Sequence, residues 1–242
     1  MKKLKQIFSC IEICAMFVFL FSAAQIFGLF AGFGGCIAKN VLYGTNINGT
    51  GVIEKFQIIM NKNQPEMIFF MEITAAVFMF LTACLIYKKK LKSLFMFKRP
   101  LYIIMSVGTV IAIYIIMSAL LNAIPWPQSW IEANRDSTAI ALSNNGNIFI
   151  TWISTGVLAP FTEELVFRGM IVSILRKKHN KHIAIIASSA AFGIVHGNIL
   201  QGLYTCILGL IFCFINDKEH SIMPGLAAHM SVNSISVLLS NI

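Results

Sequence analysis

APFTEELVFRG, residues 159–169, sets two adjacent carboxylates and a guanidinium inside a stretch that otherwise reads as apolar helix. A charged side chain at the centre of a bilayer costs about 2.5–3.5 kcal/mol on insertion scales. Glu163, Glu164 and Arg168 fall within six positions, so they need partners, a water-filled cavity or both. Ionisable groups at such depth mark functional sites by default. Neighbouring helices have to supply the partners, which makes the fold a bundle.

The rest of the chain fits a lipid setting. Of 242 residues, 57% are hydrophobic and 12% charged, where soluble domains carry about 25% charged residues. Apolar segments take up nearly the whole length and leave no room for a separate soluble domain. The formal charge of +9 does not point to nucleic acid, because the basic residues cluster at helix ends. There they act as topology signals and meet anionic lipid head groups. The six cysteines (Cys10, Cys14, Cys36, Cys84, Cys206 and Cys213) form no CxxC pair and read as small buried hydrophobes. The start, MKKLKQIFSCIEICAMFVFLF, resembles a signal peptide. Its apolar run outlasts the usual ~7–15 residues and lacks a small-residue cleavage site, so it reads as a retained first helix.

Segments long enough to span, about 17–25 residues each, are expected near 7–31, 67–87, 101–124 and 147–175. Three shorter or more polar ones follow near 183–199, 202–216 and 221–241, and a strict hydropathy window would miss them. Their Ser, His, Asn and Gly suit helices that face one another. Lysines and arginines concentrate at the N-terminus, in 88–100 and in 176–182, with a weaker NDKEH at 216–220. If all seven segments span, these connections share one side, which the positive-inside rule makes the cytoplasm. The expected fold is therefore all-α, a polytopic transmembrane helical bundle of about seven spans with a cytoplasmic N-terminus. A re-entrant short segment would instead return the C-terminus to that side. The opposite side has long loops at 32–66 and 125–146, the second holding a short interfacial helix, WIEANRDSTAIALS. The chain divides into a three-helix membrane region with external loops (1–146) and a core that carries the polar residues (147–242).

Four polar clusters recur in that core. Glu164 and Arg168 are four apart, so they share a helix face and can pair; Glu163 is turned about 100° away. His196 closes FGIVH, with Phe192 on its face, and His229 and Asn233 belong to HMSVN. Glu163 lies 13 residues before Arg176, His196 14 after His182 and Asn233 13 after His220. At about 1.5 Å per residue, all three sit roughly 20 Å from the basic ends of their helices. One shared polar layer explains the agreement. Pro160 should free a carbonyl that a cavity or a neighbour must satisfy. Gly28/Gly32 and Gly193/Gly197 suggest close helix packing. Glu12 and Glu72 lie near helix ends, read as reaching the interface and are set aside. No HExxH, GxSxG or GxGD motif is present, which leaves this carboxylate–histidine set as the chemistry-bearing constellation.

EExxxR (Glu163, Glu164, Arg168), FxxxH (Phe192, His196) and HxxxN (His229, Asn233), in that order on consecutive membrane helices, resemble the motif set of the CPBP family. That family comprises CAAX proteases and bacteriocin-processing or immunity proteins, also called Abi. The resemblance covers about residues 147–241 and implies an intramembrane endopeptidase related to the Ras-converting CAAX protease. By that likeness Glu163 activates the attacking water, His196 hydrogen-bonds to it, and His229 and Asn233 stabilise the oxyanion. Glu164, Arg168 and Phe192 support the site. Glu163, His196 and His229 could equally offer zinc three ligands plus a water, and both versions stay open. The implied partner is a membrane-associated peptide or protein tail within the lipid bilayer, with a bacteriocin or peptide-pheromone precursor as one candidate. A non-catalytic bacteriocin self-immunity or scaffold protein is the alternative. FGIVH is followed by Gly-Asn, and the chain stops after the HxxxN helix, which bears on the substrate path and not on the core chemistry.

Overall fold

The computed structural model describes residues 2–42, 51–143 and 147–240. Among the described residues the protein is all helix, with no strand. The helices are α1 (Lys2–Leu42), α2 (Val52–Lys62), α3 (Gln64–Tyr87), α4 (Pro100–Ala123) and α5 (Gln128–Leu142). A helix over 148–175, α6, is followed by α7 (Lys181–Ile194), α8 (Ile199–Glu219) and α9 (Met223–Leu239). Asparagines start three of them. The side chains of Asn147, Asn180 and Asn198 accept from Ile150, Ile183 and Gln201 N–H at 3.3, 2.9 and 2.8 Å, satisfying donors that have no intrahelical partner.

Each of the seven expected segments is helical. Among the described residues, four helices are long and apolar enough to cross a membrane: Gln6–Asn40, Gln64–Leu94, Pro100–Ala123 and Ile199–Glu219. The last of these corrects the expectation that a hydropathy window would miss the sixth segment, because α8 is longer at both ends than 202–216. The first segment is also longer than expected. α1 runs to Leu42 through Gly34 and Gly35, since a glycine costs a helix only about 1 kcal/mol and Cys36 beyond them is buried. Much of the loop placed at 32–66 is thus helix, with 43–50 outside the described residues, as are 144–146 of the second loop and 241–242 of the last segment. The short helix expected in the second loop is present as α5, and Trp126 just before it stacks on Trp130 at 6.0 Å.

Large apolar side chains on α1, α3 and α4 point outward, among them Phe19, Phe27, Leu85, Leu101 and Ile104. In water so large an apolar surface would drive association; in hydrocarbon it matches its solvent. The inward faces form a core shared along the chain. Phe21 of α1 meets Phe167 of α6 edge-on at 6.3 Å, and Phe95 stacks on Phe161 at 6.1 Å. Gly28 brings α1 so near α3 that a Cβ there would lie 2.6 Å from the Phe70 carbonyl oxygen. Gly32 and Gly193 do likewise against Phe70 and the Gly202 carbonyl. Gly197 is different. It meets nothing within 4 Å and has φ +73°, so it turns the chain between α7 and α8 instead of packing it.

The basic connections meet at one end of the bundle. Ile222 N–H and Ser221 Oγ both donate to the Leu94 carbonyl at 2.9 Å. Arg99 pairs with Glu219, and Asp217 takes both Arg176, at 2.6 Å, and Lys181. The acids of NDKEH therefore bind the basic residues of the two neighbouring connections.

Candidate active site

α6 carries the acidic pair and is not a regular helix. Trp152–Leu158 and Glu164–Ile171 are π-helical, a wider winding common at functional sites. Ala159 N–H donates to the Ser154 carbonyl, five residues back. The next donor in that series would be residue 160, which is proline and has none. Its acceptor would be the Thr155 carbonyl, and there Asn233 Nδ2 of α9 donates instead, at 3.0 Å. The carbonyl that Pro160 frees is thus satisfied by a neighbour.

The two glutamates have different surroundings. Glu164 is fully buried and engaged at both oxygens. Oε1 faces Arg168 Nη1 at 3.1 Å and His229 Nδ1 at 3.3 Å, and Oε2 accepts from Asn216 Nδ2 at 3.2 Å. Asn216 is itself held, its Oδ1 accepting from Gly225 N–H at 2.6 Å. The Arg168 guanidinium lies among aromatic faces, 4.2 Å from the Phe192 ring centre and 5.3 Å from that of Phe212. Glu164 and these π faces together balance its charge. Glu163, 14% exposed, points into a cavity of about 630 Å³, with Oε2 3.5 Å from His229 Nε2.

That cavity collects the polar residues of three elements. Glu163 from α6, His196 from the turn after α7, and His229 and Asn233 from α9 all line it, as does Phe192. The shared layer read from helix depth is a shared wall. His196 differs from its expected placing, because α7 ends at Ile194 and the imidazole sits in the turn that Gly197 completes. His196 Nδ1 lies 2.7 Å from the Phe192 carbonyl, so that nitrogen carries the proton and Nε2 of the neutral ring is left with a lone pair. His229 is clamped by Phe212, stacked at 4.9 Å, and by Phe192 edge-on at 5.8 Å.

A zinc site would need three donors converging on one point. Among the described residues no group of three His, Cys, Asp or Glu side chains is arranged to hold one ion. Each ring has Nδ1 engaged, His229 by Glu164 and His196 by the Phe192 carbonyl, and keeps Nε2 as the atom a zinc ion would use; what is missing is convergence of these nitrogens with Glu163 on one point. Glu163, His196 and His229 as arranged do not fit such a site, and no step below runs through a metal.

Two residues outside the motifs belong to this region. Asn216, read from sequence as part of a connecting loop, is a buried residue near the end of α8. Its signal was an uncharged amide at the end of an apolar run, hidden by the charges after it. Glu72, set aside as reaching the interface, is instead buried within α3 and lines the same cavity. The close approach of α1 at Gly28 keeps it from lipid and water.

Residues 145–235 match the family described as type II CAAX prenyl endopeptidase Rce1-like. Over 87 residues the chain is 31% identical to YdiL of Bacillus subtilis (strain 168), a candidate membrane peptidase by name, covering 36% of each chain. Over 79 residues it is 32% identical to UPF0177 protein YxdF of Lactococcus lactis subsp. lactis (strain IL1403), covering 32% of this chain and 43% of that protein. The chain thus spans less than half the length of the curated relatives it matches. No solved structure matches it. The matched segment contains the acidic pair, His196, His229 and Asn233, and over it the chain is similar to the intramembrane proteases of the CPBP family.

Proposed function

We propose that this membrane protein is an endopeptidase that hydrolyses a peptide bond of a membrane-associated peptide or protein tail, using a water activated by Glu163. One observation carries the reading. Glu164 has both oxygens engaged, whereas Glu163 faces a cavity lined also by His196, His229 and Asn233. A carboxylate that is held by structure cannot take up a water's proton, and one that faces a cavity can.

In this mechanism a water sits between Glu163 and the His196 Nε2 lone pair. Glu163 takes a proton as the water oxygen bonds to the scissile carbonyl carbon. The carbonyl π electrons move to oxygen, and the N–H of Asn233 not used by Thr155 donates to that oxyanion. His229, with Nδ1–H directed at Glu164, donates from Nε2 only as imidazolium. In that form its single Nε2–H turns from Glu163 to join Asn233 at the oxyanion. The proton held by Glu163 then passes to the leaving nitrogen as the C–N bond breaks, which regenerates the base. Arg168 and Phe192 hold Glu164 and the two rings in place.

The substrate classes that suit this site are a CAAX-type tail, a leader or bacteriocin segment, and a peptide pheromone. The basic connections gathered at one end favour a cell-membrane protein with a cytoplasmic N-terminus and seven spans. Mass spectrometry of the peptide pool from membranes with wild-type protein, Glu163→Gln or His196→Ala tests the reading. New cleavage products are expected with wild type and absent from both variants. An identical pool in all three, with the variants folded and inserted, leaves a non-catalytic immunity or scaffold role.

A further inference from the structure

Glu72 lies on α3, outside the segment that matches the protease family. It is 5% exposed. Gln25 Nε2 of α1 donates to its Oε1 at 3.2 Å, while Oε2 has no hydrogen-bond partner among the described residues. The pairing is built into the helix contact. Gln25 stands one turn before Gly28, whose place against Phe70 and Met71 fixes the register of α1 on α3. A carboxylate oxygen buried without a partner is costly, and the residue that carries it lines the cavity that holds Glu163. The wall beside it is apolar, formed by Leu29, Met67, Ile68 and Met71. None of the described residues lining this cavity is a lysine or an arginine. Two carboxyl groups thus share one chamber with no lysine or arginine on its described wall. The nearby guanidinium of Arg168 belongs to Glu164.

We propose that Glu72 is a specificity-determining residue of the chamber, its carboxylate accepting from the ammonium or guanidinium of a lysine or arginine carried within an apolar stretch of the bound peptide. The methionine-rich wall takes the apolar neighbours, Glu72 takes the charge, and Gln25 holds the carboxylate in position. The proposal rests on reading the chamber as a peptide site, and it extends that site to a helix outside the matched segment.

The test uses full-length protein in lipid nanodiscs and two fluorescent peptides of leucine and alanine. One carries a single lysine at its centre, the other norleucine. Binding and cleavage are measured separately. Wild type should bind the lysine peptide about tenfold more tightly, as a charge-assisted contact allows, and Glu72→Gln should bring the ratio to about one. Glu72→Asp, which keeps the charge on a shorter arm, should retain part of the preference. Equal binding of the two peptides by wild type, or no binding of either, overturns the proposal. So does a preference that survives in Glu72→Gln, even if that variant melts earlier, because Glu72 would then only join α1 to α3. Lysine preference without cleavage upholds the specificity assignment while removing the peptidase reading; cleavage without preference does the reverse.

Discussion

Asn233 donates to the Thr155 carbonyl, the acceptor that Pro160 leaves without its helical donor. Through this bond one side chain of the HxxxN motif braces the π-helical stretch just before the acidic pair. It ties α9 to α6 at the cavity wall, so Asn233 has a structural task as well as its proposed catalytic one.

The two tasks separate by mutation. Asn233→Ala should lower stability by about 1–3 kcal/mol, the cost of leaving a buried carbonyl unpaired. Adding Pro160→Ala returns an N–H to the helix and should recover part of that loss. Peptide cleavage should stay low in the double variant if the second N–H of Asn233 serves the oxyanion. Thermal unfolding in detergent beside a cleavage assay gives both numbers.

Glu164 and Glu163 should differ sharply in what they do for folding. Glu164→Ala strands the buried Arg168 guanidinium, and breaking such a pair costs about 3–5 kcal/mol. Glu164→Ala combined with Arg168→Met should be the more stable of the two variants, because no unpaired charge is left. Glu163→Gln removes no comparable bond and should cost under about 1 kcal/mol. The order of melting temperatures across these three proteins checks the assignment.

The helix contacts at glycine predict position-specific damage. Gly28→Leu must push α1 off the Phe70 carbonyl and should cost at least about 1–3 kcal/mol, the usual range for overpacking. It should also weaken the Gln25–Glu72 contact one turn away. Gly197→Ala meets no neighbour, and its cost of about 1–2 kcal/mol should come from the positive φ alone. Crosslinking between cysteines placed on α1 and α3 should fall in Gly28→Leu and stay unchanged in Gly197→Ala.

Asn216 predicts an indirect effect. Asn216→Leu removes both the amide that holds Glu164 Oε2 and the acceptor for Gly225 N–H, so it should destabilise by about 2–4 kcal/mol, as two lost buried bonds imply. Asn216→Asp keeps the acceptor but faces Glu164 with a like charge, and it should be no better. Unfolding measurements on the two variants decide this.

Much of this arrangement was legible in the residues. Glu164 and Arg168 share a helix face by spacing alone, and the common depth of Glu163, His196 and Asn233 follows from counting along three helices. What escaped was tertiary. Gln25 meets Glu72 across 47 positions, and Asn216 meets Glu164 across 52; no periodicity records such pairs. Glu72 looked like an interface residue because its distance from a helix end was visible and the closeness of α1 was not. Pro160 signalled a freed carbonyl, while the π-helical winding and the choice of Asn233 as donor depend on how α9 crosses α6. The end of α7 before His196 had a cue in Gly197, which was read as a packing residue.

Glu163, and not its neighbour, is the proposed catalytic base. Single-turnover cleavage of a substrate peptide identified from the membrane pool, by reconstituted wild type, Glu163→Gln and Glu163→Asp, tests this assignment most directly. Binding of that peptide by each protein is measured alongside. Glu163→Gln should bind the peptide yet lose cleavage by at least about 10²-fold, the lower range for removing a general base, with Glu163→Asp recovering part of it. Cleavage by folded Glu163→Gln at the wild-type rate would contradict the assignment.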